Sequence, residues 1–369
     1  MIRTRQFYSF CLNSISTKNF VFKSQTSLQS RKKSAFSIVY KEHGDPRKVL
    51  SGVDMPQRTN PGPDEVVVSM LAAPINPADI NMIEGVYPVK PQLPAVAGNE
   101  GVCQIEKIGE NVTTFQPGDR AVAAYLGWGT WTESHVIPAA DLMKIDKDVP
   151  LAGAATIAVN PCTAYRMLQD FEVLNADDVV IQNGANSGVG QAVVQICKHF
   201  GIKTVNIVRN RPNIDKLVSH LEDLGATHVI TDDFLRKPEM RDLMKTLPKP
   251  KLALNCVGGK SSAELLKHLD DNCTMVTYGG MSKQPMLVPA GPLIFRNVKL
   301  RGYWMTQWNK VNSHSVEKKE MWNTLCEMLK NGKLKPPAHK FVHISNFKEA
   351  ISCAMEPPTT QKQILAMSE

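Results

Sequence analysis

Phosphate-binding chemistry is suggested by a glycine-rich stretch, NGANSGVGQAV, that runs from Asn183 to Val193. The stretch comes close to the dinucleotide fingerprint G-x-G-x-x-G, whose glycines let the backbone approach a pyrophosphate. Ala185 and Ser187 stand at the first two glycine positions, and only Gly190 keeps the third. Because alanine and serine are small, a slightly wider turn could still hold phosphate. The alternative is a strand-to-helix turn with no ligand.

Two arginines indicate which nucleotide would be bound. Arg209 and Arg211 follow Gly188 by 21 and 23 residues, in the stretch NIVRNR. An NAD site commonly has an acid at about this distance, where it binds the ribose 2′-hydroxyl. Two guanidinium groups would instead attract a 2′-phosphate. We therefore predict NADPH rather than NADH, with a solvated basic turn as the alternative.

A tyrosine is the candidate for proton transfer. The segments INPADIN and GNEG contain no cysteine or histidine that could hold a catalytic zinc, and a lone Glu100 is expected to hold backbone or a neighbouring turn. Without a metal, hydride addition to an activated C=C needs a donor that stabilises the enolate oxygen and protonates the α-carbon. Tyr87, in the loop NMIEGVYPVKP, could do this, or it could be an ordinary packing tyrosine.

The elements around these residues fall into two textures. From about 36 to 155, short β-type runs such as VVVSMLAAPINPADI alternate with Pro and Gly turns and predict an irregular β-barrel. From about 175, strands alternate with helices and predict a doubly wound parallel sheet, with the glycine loop between the strand DVVIQN and the next helix. A long amphipathic helix over roughly 315–331 precedes a strand-like KFVHI, which we expect to return to the first domain.

The net charge of +8 comes entirely from the N-terminus. Residues 1–41 carry eight Lys and Arg and no Asp or Glu, so the rest of the chain is balanced. A neutral body gives no indication of nucleic-acid binding. An acid-free, Ser-rich, basic leader predicts a mitochondrial transit peptide over residues 1–35 and hence a matrix protein, with a disordered basic tail as the alternative. No apolar run approaches the ~18 residues of a membrane span.

The eight cysteines indicate a reducing compartment. None forms a C-x-x-C pair, and most lie in apolar runs such as VVQICKHF and LALNCVGG. We therefore expect buried free thiols rather than disulfides or a structural zinc site.

The chain after the leader resembles a known family. The stretches INPADINMIEGVYP, LPAVAGNEGV, AVNPCTAYRML, IQNGANSGVGQAVVQI, ALNCVGGKSS, MVTYGGMSKQP and LRGYWMTQW together resemble the mitochondrial enoyl-thioester reductases, zinc-free members of the medium-chain dehydrogenase/reductase superfamily. The resemblance implies an α/β fold with a doubly wound parallel Rossmann sheet and a GroES-like catalytic domain. It implies a catalytic domain over 36–160 and 311–369, and an NADPH-binding domain over 161–310.

The resemblance also implies an activity and its residues. The reaction would be NADPH-dependent reduction of trans-2-enoyl thioesters of acyl carrier protein or CoA, the last reductive step of mitochondrial fatty acid synthesis. Hydride would go to C3, and Tyr87 would be the proton donor at C2. The NADPH-binding positions implied by the family are Asn160, Asn186, Ser187, Gly188, Val189, Arg209, Asn210, Arg211, Tyr278, Gly279, Gly280, Met281, Tyr303, Trp304, Met305, Thr306 and Lys362.

Partners and alternatives remain open at this stage. The family implies a homodimer formed through the nucleotide-binding domains. KNGKLKPPAHK, from 330 to 340, is a candidate basic patch for an acidic carrier protein or simply a solvated turn. The nearest alternative function is a zinc-free NADPH quinone oxidoreductase. A more distant one is a non-enzymatic coregulator that senses NADPH.

Overall fold

The structure is a computed structural model that describes residues 34–124, 127–356 and 361–368. The transit peptide prediction therefore lies almost wholly outside the described residues. The strands are β1 Ser34–Tyr40, β2 Ser51–Pro56, β3 Glu65–Pro74, β4 Ala95–Val96, β5 Val102–Ile108, β6 Arg120–Ala123, β7 Ser134–Pro138, β8 Leu142–Ile145, β9 Val179–Asn183, β10 Lys203–Val208, β11 His228–Thr231, β12 Leu252–Asn255, β13 Thr274–Thr277, β14 Lys299–Gly302, β15 His339–His343 and β16 Lys362–Ala366.

Helices alternate with the strands in the second half of the chain. The α-helices are α1 Pro46–Val49, α2 Pro77–Ile83, α3 Leu151–Thr156, α4 Asn160–Asp170, α5 Gly188–Phe200, α6 Ile214–Leu224, α7 Glu239–Lys245, α8 Gly259–His268, α9 Ala290–Arg296, α10 Met305–Val311, α11 Val316–Lys330 and α12 Phe347–Met355. None of the helices within the described ranges is both long enough and apolar enough to cross a membrane.

A six-stranded parallel sheet forms the nucleotide-binding half, in the order β11-β10-β9-β12-β13-β14. Every residue of β9 is buried, as expected where helices cover both faces of a parallel sheet. The strand order reverses beside β9, so the carboxyl ends of β9 and β12 flank the crevice where such sheets bind ligands. The predicted doubly wound Rossmann sheet is confirmed.

The other half is built on a seven-stranded sheet. Its order is β15-β16-β3-β5-β6-β8, with β7 pairing the other part of β3, and a separate sheet of β2, β1 and β4 lies beside it. The C-terminal strand β16 runs antiparallel to β3, so Leu365 lies opposite Ala73. The tail therefore returns to the first β segment, as expected. The domain limits given above stay a prediction.

One segment differs from its predicted form. The stretch VVVSMLAAPINPADI is strand only as far as Pro74, and α2 begins at Pro77. Asn76 starts this helix in extended backbone and Asp79 closes a capping box with it. The β-type prediction for the last part of this stretch is wrong, because Asn76 and Pro77 form the start of a helix rather than a continuation of the strand. This short helix positions Tyr87, because its last turn leads into the loop that carries this residue.

The cysteines behave as predicted within the described residues. All seven that are described are free thiols, and five of them are buried: Cys103, Cys162, Cys197, Cys256 and Cys273. Burial raises the pKa of Cys103 to about 12, so this thiol stays protonated. The eighth cysteine, Cys11, lies outside the described residues.

Candidate active site

The glycine loop has its tight turn one residue earlier than the fingerprint suggested. Gly184 directly follows β9 with a φ of +60°. A Cβ at this position would lie 2.4 Å from the Cys256 Sγ, so glycine is required twice over. Ala185 and Ser187 therefore do not replace a missing turn glycine, because Gly184 holds that conformation. Gly184 is present in the sequence, but it lies one residue before the first position of the aligned fingerprint, so the motif did not include it.

The rest of the loop forms the start of α5. Ser187 is the N-cap, and its hydroxyl accepts a hydrogen bond from the Gly190 N–H at 3.1 Å. A Cβ on Gly190 would lie 2.6 Å from the Ala185 Cα, so this glycine allows the helix to pack onto the loop. The amides of Gly188 and Val189 lie in the first turn of the helix, where a partial positive charge favours a phosphate.

Asn160 joins this loop from the other side. It begins α4, and its side chain packs so closely on Gly188 that a Cβ there would meet the Asn160 Nδ2 at 2.7 Å. Asn160 therefore lies against the glycine loop, and its binding of NADPH stays a prediction. The Asn186 backbone carbonyl accepts a hydrogen bond from the Gln191 Nε2 at 2.9 Å.

Two buried hydroxyl groups of the predicted coenzyme-binding positions have no hydrogen-bond partner among the described residues. These belong to Tyr278, at the end of β13, and Thr306, at the start of α10. The Cys256 thiol and the Ser187 hydroxyl are the polar groups next to the Tyr278 hydroxyl, whose pKa is raised by burial and by Cys256. Buried polar groups are normally satisfied, so these hydroxyls are suited to a polar ligand in the crevice. The residues present thus fit a dinucleotide.

The loop after β13 carries four predicted positions. Tyr278 leads into Gly279, Gly280 and Met281, and the Met281 N–H donates to the Cys256 carbonyl at 2.9 Å. A Cβ added to Gly280 would have no heavy atom within 4 Å, so there is free space beside this part of the loop. The loop therefore lies across from Gly184 at the same edge of the sheet.

The predicted 2′-phosphate residues lie in an exposed turn after β10. Arg209 and Arg211 form no ion pair with any described residue. The Arg211 Nε donates to the Arg209 carbonyl at 3.3 Å. Asn210 instead bonds through its backbone N–H to Asp232 and through its Nδ2 to Asp233, both at 3.1 Å. Asn210 therefore fixes the turn and leaves both guanidinium groups available.

Tyr87 meets Trp304 across 217 residues of sequence. The Trp304 Nε1–H donates to the Tyr87 hydroxyl at 2.8 Å, and the two rings pack edge to face at 6.0 Å. Gly85, with a φ of +77°, turns the chain out of α2, and the Tyr87 N–H donates to the Asn81 carbonyl at 3.1 Å. Trp304 is the N-cap residue of α10, and the predicted positions Tyr303, Met305 and Thr306 are its neighbours in the chain.

Lys362 lies in a buried polar cluster that the sequence did not reveal. We call the five residues Asn76, Asp79, Asn99, Glu100 and Lys362 the junction cluster. The Lys362 Nζ donates to the Asn76 Oδ1 at 2.5 Å, and the Asn76 Nδ2 donates to Glu100 at 2.8 Å. The Asn99 Nδ2 donates to Asp79 at 2.7 Å. Lys362 is thus fixed by the β half, and its predicted contact with the cofactor stays a prediction.

Burial dominates the electrostatics of this cluster. Desolvation raises the pKa of Glu100 to about 7, while bonds from Asn76 and the charge of Lys362 oppose the shift. Desolvation likewise raises the pKa of Asp79 to about 6. It lowers the pKa of Lys362, against the attraction of Glu100 and Asp79. The cluster therefore changes its protonation near neutral pH.

Glu100 connects the two halves of the molecule. Its Oε1 accepts a hydrogen bond from the Val159 N–H at 2.8 Å, directly before α4 begins at Asn160. The expectation that Glu100 holds backbone is confirmed. Its role could have been inferred from sequence only by knowing that residues 100 and 159 meet in space.

Both halves of the chain resemble known proteins. Residues 62–147 match the alcohol dehydrogenase GroES-like domain, and residues 188–324 match the zinc-binding dehydrogenase family. The mitochondrial enoyl-[acyl-carrier-protein] reductase of Xenopus tropicalis is 51% identical over 335 residues, which are 90% of this chain and 95% of that protein. The chain belongs to the family of mitochondrial enoyl-[acyl-carrier-protein] reductases.

Solved structures agree with this assignment. The Etr1p/NADP/crotonyl-CoA complex superposes with a TM-score of 0.85 and 33% identity, covering 90% of this chain and 100% of that one. The mitochondrial 2-enoyl thioester reductase Etr1p/Etr2p heterodimer from Candida tropicalis matches with the same values. The predictions of an NADPH-dependent enoyl thioester reductase, of its coenzyme and of mitochondrial localisation are thereby confirmed.

The zinc in the superfamily description does not fit the residues of this reductase. Within the described ranges, no group of three or more His, Cys, Asp and Glu side chains lies close enough to hold a metal ion. In the junction cluster, the ammonium group of Lys362 already faces the carboxylates of Asp79 and Glu100. The Lys362 ammonium group therefore already supplies a positive charge to this polar site, which does not suit a metal ion.

Proposed function

We propose that this reductase saturates 2-enoyl thioesters with Tyr87 as the proton donor, at the last reductive step of mitochondrial fatty acid synthesis. The observation that supports Tyr87 most strongly is the hydrogen bond from the Trp304 indole to its hydroxyl oxygen. The indole can only donate, so it occupies an oxygen lone pair and leaves the phenolic hydrogen free. A tyrosine held in this way presents a proton to the crevice.

The residues of the chain divide the reaction between them. NADPH, when bound, supplies the hydride that forms the new bond at C3 of the substrate. The C2=C3 π electrons then move toward the carbonyl, and negative charge develops on its oxygen. Tyr87 donates its proton to C2 and becomes a phenolate, which the Trp304 N–H stabilises through a charge-assisted hydrogen bond. A proton from water restores the hydroxyl, and the thioester leaves saturated.

The coenzyme-binding residues position this chemistry. We propose that the first turn of α5 binds the pyrophosphate through the amides of Gly188 and Val189. Arg209 and Arg211 would hold the 2′-phosphate. Neither guanidinium group forms an ion pair with a described residue, so both are available to bind it. The buried hydroxyls of Tyr278 and Thr306 would bond to polar groups of the same ligand. Support comes from the shared location of these groups at one edge of the sheet.

We further propose that the enzyme is a homodimer. The edge strand β14 has a free side in the six-stranded sheet, and α9 beside it exposes Leu293, Ile294 and Phe295. An unpaired edge with an apolar rim favours a second copy of the same chain, related by a two-fold axis. Light scattering of wild type and Phe295→Glu should give a dimer and a larger monomer fraction. A wild-type monomer at micromolar concentration would contradict this.

The experiment that tests the reaction is a spectrophotometric assay of NADPH oxidation. Crotonyl-CoA and hexenoyl-CoA, the same acyl groups on acyl carrier protein, and simple quinones would be compared at equal concentrations. Enoyl thioesters should be turned over with the higher kcat/KM, and product analysis should show the saturated acyl chain. Faster turnover of quinones would support the quinone oxidoreductase instead, and a lack of turnover with every substrate would revive a sensor role.

A further inference from the structure

A buried arginine is connected through a series of contacts to Tyr87 and Trp304. Arg166, in α4, is only 8% exposed. Its Nε donates to the Asp170 Oδ2 at 3.1 Å, one helical turn further on, and a second guanidinium nitrogen bonds the other carboxylate oxygen. The guanidinium also lies over the ring of Trp308, 4.7 Å from the ring centroid. The carboxylate compensates the buried charge and fixes the plane in which it meets the indole.

Trp308 belongs to the helix that carries the partner of Tyr87. It lies one turn after Trp304 in α10, and its N–H donates to the Trp304 carbonyl at 3.0 Å. This helix has only seven residues and no side-chain N-cap. Such a short helix has little stability of its own, so its position depends on tertiary contacts. The contact of Trp308 with Arg166 is one that fixes it against α4.

A second contact holds the same segment to the same helix. The ring of Tyr303, which precedes Trp304, packs edge to face on Phe171 at the end of α4, with 6.1 Å between centroids. The segment is therefore tied to α4 on both sides of Trp304. Trp304 in turn is the group that bonds the Tyr87 hydroxyl. A continuous series of contacts thus runs from Asp170 to the proposed proton donor.

We propose that Arg166 is a positioning residue for the reaction, which orients Tyr87 through Trp308 and Trp304. The inference deepens the proposed function and rests on it for the role of Tyr87. Arg166 bonds Asp170 and packs on Trp308, and through that contact it would set where α10 begins. Displacements of about 1 Å from sites remote from the chemistry can cost about 100-fold in rate. Loss of the cation–π contact should therefore lower kcat more than it weakens NADPH binding, because α10 carries only part of the proposed coenzyme site.

Arg166→Met tests this role, because methionine keeps an unbranched apolar stem and removes the charge. Asp170→Asn is combined with it, so that no unpaired buried carboxylate remains. We expect kcat with crotonyl-CoA to fall about 10- to 100-fold. The Kd for NADPH, measured by fluorescence, should rise by a smaller factor than the fall in kcat, because the proposed contacts of α5 and of Arg209 and Arg211 are unaffected. Arg58→Met is the control, because Arg58 forms an exposed ion pair with Glu65 at the start of β3 and bonds no residue of the proposed site.

A double-mutant cycle separates positioning from general stability. In the Tyr87→Phe background the proton donor is already absent, so the substitutions at Arg166 and Asp170 should cause almost no further loss of kcat. Losses that multiply would show that Arg166 acts elsewhere and would overturn the inference. If Tyr87→Phe alone kept wild-type turnover, the proposed function would fail instead, and the indole resonance described next would still test the contact.

Two variants of Trp308 guard against a variant that does not fold. Trp308→Phe keeps an aromatic face for the guanidinium, whereas Trp308→Leu removes it. We expect Trp308→Phe to retain most activity and Trp308→Leu to lose about as much as Arg166→Met. In NMR spectra, the Trp304 indole N–H resonance should shift only in the damaging variants. Equal activity of both Trp308 variants, or an unmoved Trp304 resonance in active and inactive forms alike, would refute the positioning role.

Discussion

The two halves of this reductase build their parts of the site in opposite ways. In the nucleotide-binding half, the loop of Gly184–Gly190 and the turn of Arg209–Arg211 are each a few consecutive residues at the ends of neighbouring strands. In the β half, Tyr87 acts with Trp304, and Lys362 bonds Asn76 across 286 residues of sequence. Coenzyme binding is local in sequence, whereas proton transfer depends on the whole tertiary structure.

The charges differ in the same sense. Arg209 is exposed and Arg211 is half-buried, so water stabilises both charges until a phosphate arrives. The junction cluster is buried, so its carboxyl groups and its lysine have pKa values shifted toward the neutral forms. Substitutions in the first half should therefore change binding, and substitutions in the second half should change rate or pH dependence. The predictions below test this division.

The largest effect is expected for Tyr87→Phe. Phenylalanine keeps the ring against Trp304 and removes only the proton and its oxygen. General acid catalysis contributes about 100- to 10,000-fold, so kcat for crotonyl-CoA should fall by that factor. The Kd for NADPH should stay within about 2-fold. Stopped-flow measurement of NADPH oxidation under single-turnover conditions reports the chemical step directly.

A companion variant sharpens this result. Trp304→Phe removes the N–H that stabilises the phenolate and keeps an aromatic ring. Since one hydrogen bond to a charged group is worth about 1.5–3 kcal/mol, kcat should fall by roughly 10- to 150-fold. A loss in Tyr87→Phe that appears in KM for NADPH rather than in kcat would erase the proposed contrast between the two halves.

The second effect concerns the coenzyme. Arg209→Ala combined with Arg211→Ala should raise KM for NADPH by about 100-fold, because each charge-assisted bond to phosphate contributes about 1.5–3 kcal/mol. KM for NADH and kcat with saturating NADPH should change little. Steady-state assays with both coenzymes check this. An equal loss with NADH would mean that the turn supports the fold rather than the 2′-phosphate.

The difference between the halves also explains what the sequence revealed. The Rossmann sheet, the helix over residues 316–330 and the arginine turn were predictable, because periodicity and short motifs carry that information. Tyr87 was one candidate among ordinary loop tyrosines until the family resemblance supported it. The junction cluster and the Arg166–Trp308 contact were not predictable. They depend on which distant segments meet, and no local pattern of residue types records that.

A smaller effect is expected in the loop itself. Gly190→Ala would place a Cβ 2.6 Å from the Ala185 backbone, which cannot move without shifting the start of α5. Overpacking of this kind costs about 1–3 kcal/mol of unfolding free energy. NADPH affinity should fall with it, by about 10-fold. Gly291→Ala is the control, because its Cβ would have only the Phe295 ring at 4.0 Å. Urea denaturation that ranks the two variants equally would contradict this.

The smallest effect is a change in pH dependence caused by Glu100→Gln. Burial raises the Glu100 pKa from 4.5 to about 7, so in that window the folded protein holds a proton that the unfolded chain has lost. This contribution to stability is complete below about pH 4.5 and is lost as pH rises through 7. Glutamine keeps the size of the side chain and cannot lose a proton. Its NH2 group replaces an acceptor that now faces Asn76 or the Val159 N–H, a cost that is the same at every pH, so the slope with pH is what the comparison measures.

The unfolding free energy of the wild type should therefore fall relative to that of Glu100→Gln as pH rises from 5 to 7.5. We expect a difference of about 2 kcal/mol across this range, because one pKa unit corresponds to roughly 1.4 kcal/mol and most of the shift is lost within it. Asp79, raised to about 6, acts in the same direction and is present in both proteins. Urea denaturation at matched ionic strength measures the two curves. Parallel curves would show that Glu100 is ionised throughout. The charges of the β half would then be as well stabilised as those of the arginine turn, and the contrast between the halves would fail.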